Sequence, residues 1–158
     1  PDMVGIARRI IDVALSNDCK LFLPKDVVVA VEFKLGAAHR IAKIDDVADG
    51  EMILDAGPEA IVAASGFLQA CATIVWNGPM GAFEIPPFDA ATTALAKIVA
   101  AETQNNGLMS VAGGGDTMAA LVNAGVNDQF SYVSTAGGAF LEWLEGKRLP
   151  GVEALFTG

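Results

Sequence analysis

Three glycine-rich turns hold the residues of this sequence whose types and spacing could do chemistry. They are "WNGPMGAFE", ending at Glu84, "GGGDT", ending at Thr117, and "STAGGAF", ending at Phe140. Each follows a short apolar or β-branched run, and the second and third lead directly into a helical pattern. Glycine lets the backbone approach a ligand closely, and the free amides at a helix start attract phosphate without any cation. One such loop alone reads more readily as a tight turn, because α/β folds use glycine there routinely. Two glycine loops and the Asn77–Glu84 turn together shift the balance toward a phosphate ligand. Asp116 directly follows three glycines, where it would repel a phosphate unless a divalent cation sat between them. Mg²⁺ is the cation this implies. Glu84 could be a solvated loop acid or a helix-start residue. Beside the apolar Phe83 at the mouth of a parallel sheet, it is also suited to accept ribose hydroxyls while the ring covers an adenine face.

Composition narrows the partners. The chain has 158 residues, 53% of them hydrophobic, which is the make-up of one compact soluble domain around a single core. A formal net charge of −9 and the lack of a basic tract exclude a nucleic-acid or anionic-membrane partner. No run is long and apolar enough to span a bilayer, and "PDMVGIARRIIDVA" has no secretory pattern, so a cytoplasmic location is expected. Cys19 and Cys71 stand far apart without metal-ligand spacing and read as reduced, inert structural thiols. His39 has no second ligand or nucleophile at workable spacing and reads as solvated. A GxGxxG fingerprint fails at Met118, and GxxxxGK[ST] is absent, which weakens a nicotinamide dehydrogenase and a P-loop nucleotidase.

The elements that must position these turns follow from periodicity. Met3, Ile6, Ala7, Ile10, Ile11, Ala14 and Leu15 recur at helical spacing, with Arg8, Arg9 and Asp12 left for solvent and Asn17-Asp18 as the stop. Val27 to Val31 form a continuous apolar run of the kind buried in a parallel sheet, with Pro24 marking its edge. Residues 34–49 are polar and read as a surface excursion. Pro58 and Glu59 open a helix that runs to about Ala70. "PPFDAATTALAKIVAAET" is another amphipathic helix, stopped by "QNNG". A strand at Leu108 to Ala112 leads to a helix from Asp116 or Thr117 that Gly125 closes, and a strand at Ser131 to Ser134 leads to a helix ending at Gly146. The expected fold is α/β, a three-layer doubly wound, Rossmann-like parallel sheet. Its glycine turns would line the carboxyl edge, where such sheets bind ligands.

"VWNGPMGAFE", "GGGDT" and "VSTAGGAFLEWLEGKRLPGVEAL", in this order and spacing, resemble the phosphoglycerate kinase family, and "LFLPKDVVVA" and "ILDAGPEA" extend the resemblance over essentially the whole chain. It implies that residues 1–158 correspond to the later part of the family's C-terminal nucleotide-binding domain, incomplete relative to the family domain. It also implies phosphoryl transfer between 1,3-bisphosphoglycerate and ADP, giving 3-phosphoglycerate and ATP with Mg²⁺. Carried over residue by residue, Leu54 matches an adenine-pocket position, Asn77 one that approaches the phosphates, and Phe83 the pocket wall. Glu84 matches the acid that holds the ribose. Gly114, Gly115 and Thr117 match the loop around the phosphates, Asp116 the metal-linked aspartate, and Gly137 and Gly138 the helix start facing the phosphoryl in flight. Two residues depart from the family pattern: Ala136 stands where many relatives have glycine, and Phe140 where they have Ser. The N-terminal domain that binds phosphoglycerate, and the early C-domain glycine loop with its lysines, lie outside these residues, so the isolated chain is expected to be inactive and at best to bind nucleotide. Residues 149–158 are expected to pack on that N-terminal domain. The full enzyme would be a monomer, while this chain alone would self-associate through the tail. A freestanding nucleotide-binding domain is the alternative, and an oxidoreductase a distant third.

Overall fold

Val27, Val28 and Val29 form a β-branched run that gains by leaving water, and the chain folds it as β1 (Asp26–Ala30). In the computed structural model, which describes residues 3–134 and 137–156, β1 is the centre of a three-stranded antiparallel sheet. Its neighbours are β2 (His39–Lys43) and β3 (Met52–Ala56). Val28 lies between Ile41 of β2 and Asp55 of β3. This corrects the parallel strand expected at Val27 to Val31. The connection over residues 31–38 is too short for the crossover that parallel pairing needs, and Val31 falls outside β1 at 65% exposure. Residues 34–49 are likewise more than a surface excursion, because they contain β2. Arg40 of β2 closes the following loop, donating through Nε and Nη2 to both carboxylate oxygens of Glu51 and through Nη1 to Asp46.

The second sheet is parallel, in the order β4 (Thr73–Asn77), β5 (Met109–Gly113), β6 (Tyr132–Ser134). This is the α/β class with a parallel sheet that the periodicity predicts. α2 (Pro58–Gln69) starts at Pro58 with Glu59 in its first turn, as expected. α3 (Ala90–Asn106) joins β4 to β5 and ends on Gly107 at φ 74, the left-handed residue that "QNNG" supplies. α4 (Gly115–Asn123) and a 3-10 turn at Asn127–Gln129 join β5 to β6. Trp76 and Ala112 pack from one face of this sheet onto Leu95, Val99, Leu121 and Phe130. On the opposite face Val75, Met109 and Tyr132 are exposed.

α1 (Val4–Ser16) forms where its spacing predicts, and Asp18 after it takes a left-handed φ of 51. It buries only Ala14, while Ile6, Ile10 and Val13 stay exposed. The single core expected is instead three apolar clusters among the described residues: one under the parallel sheet, one around Val27 and Val29, and one around Phe88. Cys19 and Cys71 are free and exposed, not buried as structural thiols would be. α5 (Gly137–Leu144) and α6 (Pro150–Phe156) end the chain, with Gly146 at φ 78 between them. No helix among the described residues is long and apolar enough to cross a membrane.

Two buried carboxylates join the sheets. Asp26 of β1 accepts the Glu59 amide at 2.9 Å and the Ala60 amide at 2.7 Å, filling the open donors at the start of α2. Asp55 of β3 accepts the Ala91 amide of α3 at 2.9 Å and the Ala56 amide at 2.9 Å. Neither was evident as a cap from the sequence, because each sits on a strand some thirty positions before the helix it caps. The N-cap residues themselves, Gly57 and Asp89, make no side-chain capping bond.

Candidate functional site

The parallel register sets Asn77, Gly113 and Ser134 side by side at the carboxyl ends of β4, β5 and β6. Beyond that edge the backbone turns away after β4 and β5. Gly114 does so at φ 102, which an L side chain rarely adopts, and then serves as N-cap of α4. α4 begins at Gly115, one residue earlier than "DT" suggested, so Asp116 and Thr117 both fall in its first turn. First-turn amides have no acceptor within their own helix. Those of Gly115 and Asp116 lie at an exposed helix start, where they can meet an anion.

α5 starts against the same loop. A Cβ on Gly137 would collide with the backbone nitrogen and Cα of Gly114, so only glycine lets the two helix starts come this close. A Cβ on Gly113 would stand 3.0 Å from the ring of Phe140. Gly115 and Gly138, in contrast, face open space and are exposed. The glycines thus divide into two that pack the loops and two that leave amides open. The expectation about Ala136 lies outside the described residues.

The Asn77–Glu84 turn is tied to three elements. The Gly78 amide donates to Oγ1 of Thr117 at 2.7 Å, the Met80 amide to Oγ1 of Thr92 at 3.0 Å, and the Ala82 amide to the Leu54 carbonyl at 2.8 Å. Trp76 Nε1 donates to the Gly78 carbonyl at 2.7 Å. Thr117 is therefore a buried acceptor that joins the turn to α4, and its hydroxyl is not displayed at the surface. Leu54, half-buried on β3, lines an open cavity of about 450 Å³ with Phe33, Met52, Pro79, Met80 and Ala82. Phe83 is buried and Glu84 exposed beside it. The structure thus strings Leu54, the turn and the α4 glycine loop together through hydrogen bonds. The cavity itself is lined by β3 and the turn rather than by the glycine loops.

No Lys or Arg occurs within residues 73–84 or 107–138. These stretches themselves offer an anion only backbone amides and neutral side chains, beside the carboxylates of Glu84, Asp116 and Asp128. Asp116 is exposed, and the described residues contain no group of three or more His, Cys, Asp or Glu able to hold a metal. One carboxylate is a fitting donor set for Mg²⁺, which keeps several waters and takes substrate phosphate oxygens as further ligands. Nearby, burial pushes the Asp55 carboxyl up to about 6, against the opposing pull of the Ala91 amide. Asp55 packs so closely on Gly81 that a Cβ there would collide with the carboxylate.

Comparison with known proteins agrees with this architecture. The family model for phosphoglycerate kinase matches residues 1–147. The phosphoglycerate kinase of Xanthobacter autotrophicus is 59% identical over 154 residues, covering 98% of this chain and 39% of its own length. That of Rhodospirillum centenum is 57% identical over the same span. Among solved structures, phosphoglycerate kinase from Coxiella burnetii superposes with a TM-score of 0.89 at 44% identity, over 96% of this chain and 38% of that one. The enzyme from Pyrococcus horikoshii gives 0.78 at 27% identity, over 98% and 36%. The chain spans about 39% of the length of the curated relatives it matches. Glycine-started helices at the ends of parallel strands, a turn pinned between β3 and α4, and these similarities together show that the chain belongs to the phosphoglycerate kinase family.

Proposed function

We propose that this chain is the later part of the C-terminal, nucleotide-binding half of a phosphoglycerate kinase, and that it binds Mg-ADP and Mg-ATP at the carboxyl edge of the parallel sheet. The parent reaction moves a phosphoryl group between the acyl phosphate of 1,3-bisphosphoglycerate and the β-phosphate of ADP. The observation that carries this reading is the convergence of the α4 and α5 starts on Gly114 in a region without cationic side chains. Amides of Gly114 and Gly115 and the side chain of Asn77 receive the phosphates, and Thr117 holds the turn after Asn77 against α4. Asp116 holds Mg²⁺, whose charge offsets that of the phosphates. Gly137 and Gly138 open the helix whose amides face the transferred group. Leu54 and Phe83 form the base side of the site and Glu84 the ribose side.

Phosphoryl transfer depends on positioning and charge neutralisation. The phosphoglycerate-binding part and the further lysines of the family site lie in the remaining length of the relatives, so this chain alone is proposed to be inactive. A cytoplasmic place and a monomeric parent enzyme belong to the same reading. Calorimetry with Mg-ADP tests it. The parent chain should bind, and Asp116→Ala should weaken binding about tenfold or more, roughly the scale of losing one charge-assisted contact. Equal affinities would remove Asp116 from the metal site. Turnover by the purified chain in a coupled assay, with host enzyme excluded by mass spectrometry, would contradict the proposed inactivity.

A further inference from the structure

Within the turn that links the Leu54 cavity to the glycine loop, alternate amides are fixed to different elements: Gly78 to α4, Met80 to α3 and Ala82 to β3. Thr117 and Leu54 supply the outer two acceptors. Thr92 supplies the middle one. It lies in the first turn of α3, it is 1% exposed, and its Oγ1 accepts the Met80 N–H at 3.0 Å. That first turn is itself fixed, since the adjacent Ala91 amide is held by the buried Asp55 carboxylate, against which Gly81 packs. Asp55 thus grips the turn's Gly81 by contact and the helix carrying Thr92 by hydrogen bond. Pro79, between the first two tethers, has no amide to contribute.

We propose that Thr92 is a positioning residue: through the Met80 amide it sets the conformation of residues 78–82, and with it the placement of Phe83 and Glu84 at the base and ribose side of the site. This rests on the nucleotide reading given above. Thr92 touches no reacting atom, and its effect travels through one backbone amide. Valine at this position keeps the branched shape and removes the acceptor, whereas serine keeps the acceptor.

The test compares the parent, Thr92→Val and Thr92→Ser by amide hydrogen exchange and by Mg-ADP calorimetry on the same preparations. Thr92→Val should speed exchange of the Met80 amide about tenfold, the scale of one lost hydrogen bond, and leave the Leu95 and Val99 amides of α3 unchanged. It should also raise the Mg-ADP dissociation constant about fivefold. Thr92→Ser should restore both. Unchanged exchange at Met80, or an equal rise along the whole of α3, would overturn the proposal, the latter by showing a merely structural role. Faster exchange at Met80 with unaltered Mg-ADP affinity would also overturn it. If the parent chain takes up no Mg-ADP, the nucleotide reading fails on its own, and exchange at Met80 alone decides whether Thr92 sets the turn.

Discussion

Asp55 is the residue whose chemistry the sequence conceals. "ILDAGPEA" reads as a strand and turn, with nothing to mark its aspartate as buried or as a cap for a helix that begins at position 90. In the folded chain it is 2% exposed and its carboxyl is pushed up to about 6 from the ordinary 3.8, chiefly by burial. A carboxyl with a raised folded-state value favours the fold fully below its unfolded value and loses that contribution as pH rises through the folded one. The loss therefore falls between about pH 4 and 6. It amounts to about 2–3 kcal/mol, at about 1.4 kcal/mol for each tenfold change in proton affinity. Asp55→Asn should flatten this part of the stability profile. It should also cost about 1–2 kcal/mol at low pH, because the amide NH₂ must face one of the Ala56 and Ala91 donors. Urea unfolding of both proteins from pH 4 to 7 measures the difference. Parallel profiles would show that Asp55 titrates alike in the folded and unfolded chains.

At the scale of elements, the close approach of α5 to the loop before α4 depends on a missing side chain. Gly137→Ala would drive a methyl group into the Gly114 backbone, and overpacking of this kind costs about 1–3 kcal/mol. The loss should appear as a lower urea midpoint with an unchanged slope, whereas an unchanged midpoint would mean that α5 swings aside without penalty. Gly113-Gly-Gly and Gly137-Gly were legible as turns before helices because each follows a short apolar run and precedes a helical pattern. Helix starts at Pro58 and near Asp116 were legible for similar local reasons. The antiparallel pairing of β1 was not. An unbroken valine run looks alike in either kind of sheet, and only the short connection over residues 31–38 decides between them. β2 was hidden because "HRIAK" alternates weakly and is mostly exposed. Thr92 looked like an ordinary helix residue and Thr117 like part of the phosphate loop, since their acceptor roles arise only when the turn folds over them.

At the scale of the whole molecule, the apolar surface is unevenly covered. α1 exposes Ile6, Ile10 and Val13, and the parallel sheet exposes Val75, Met109 and Tyr132 on the face away from its helices. α6 exposes Val152 and Leu155. Residues 149–158 are proposed to pack on an N-terminal domain, and the chain alone is proposed to self-associate through this apolar surface. Deleting residues 150–158 should leave the parallel sheet folded and lower the association seen in analytical ultracentrifugation. A sharp fall in melting temperature on truncation of a monomer would instead assign the tail to this chain's own core. The two buried aspartates carry a different consequence, one of order in time. β1 and β2 pair positions as close as 30 and 39, whereas β4 and β5 bring position 73 beside position 109. Closing the shorter loop loses less chain entropy, so the β1–β2 hairpin is expected to form before the β4–β5 pair. α2 and α3 gain the acceptors for their first turns only once Asp26 and Asp55 stand in the antiparallel sheet. The antiparallel sheet thereby supplies the acceptors at which α2, the helix leading into the parallel sheet, and α3, the crossover from β4 to β5, begin.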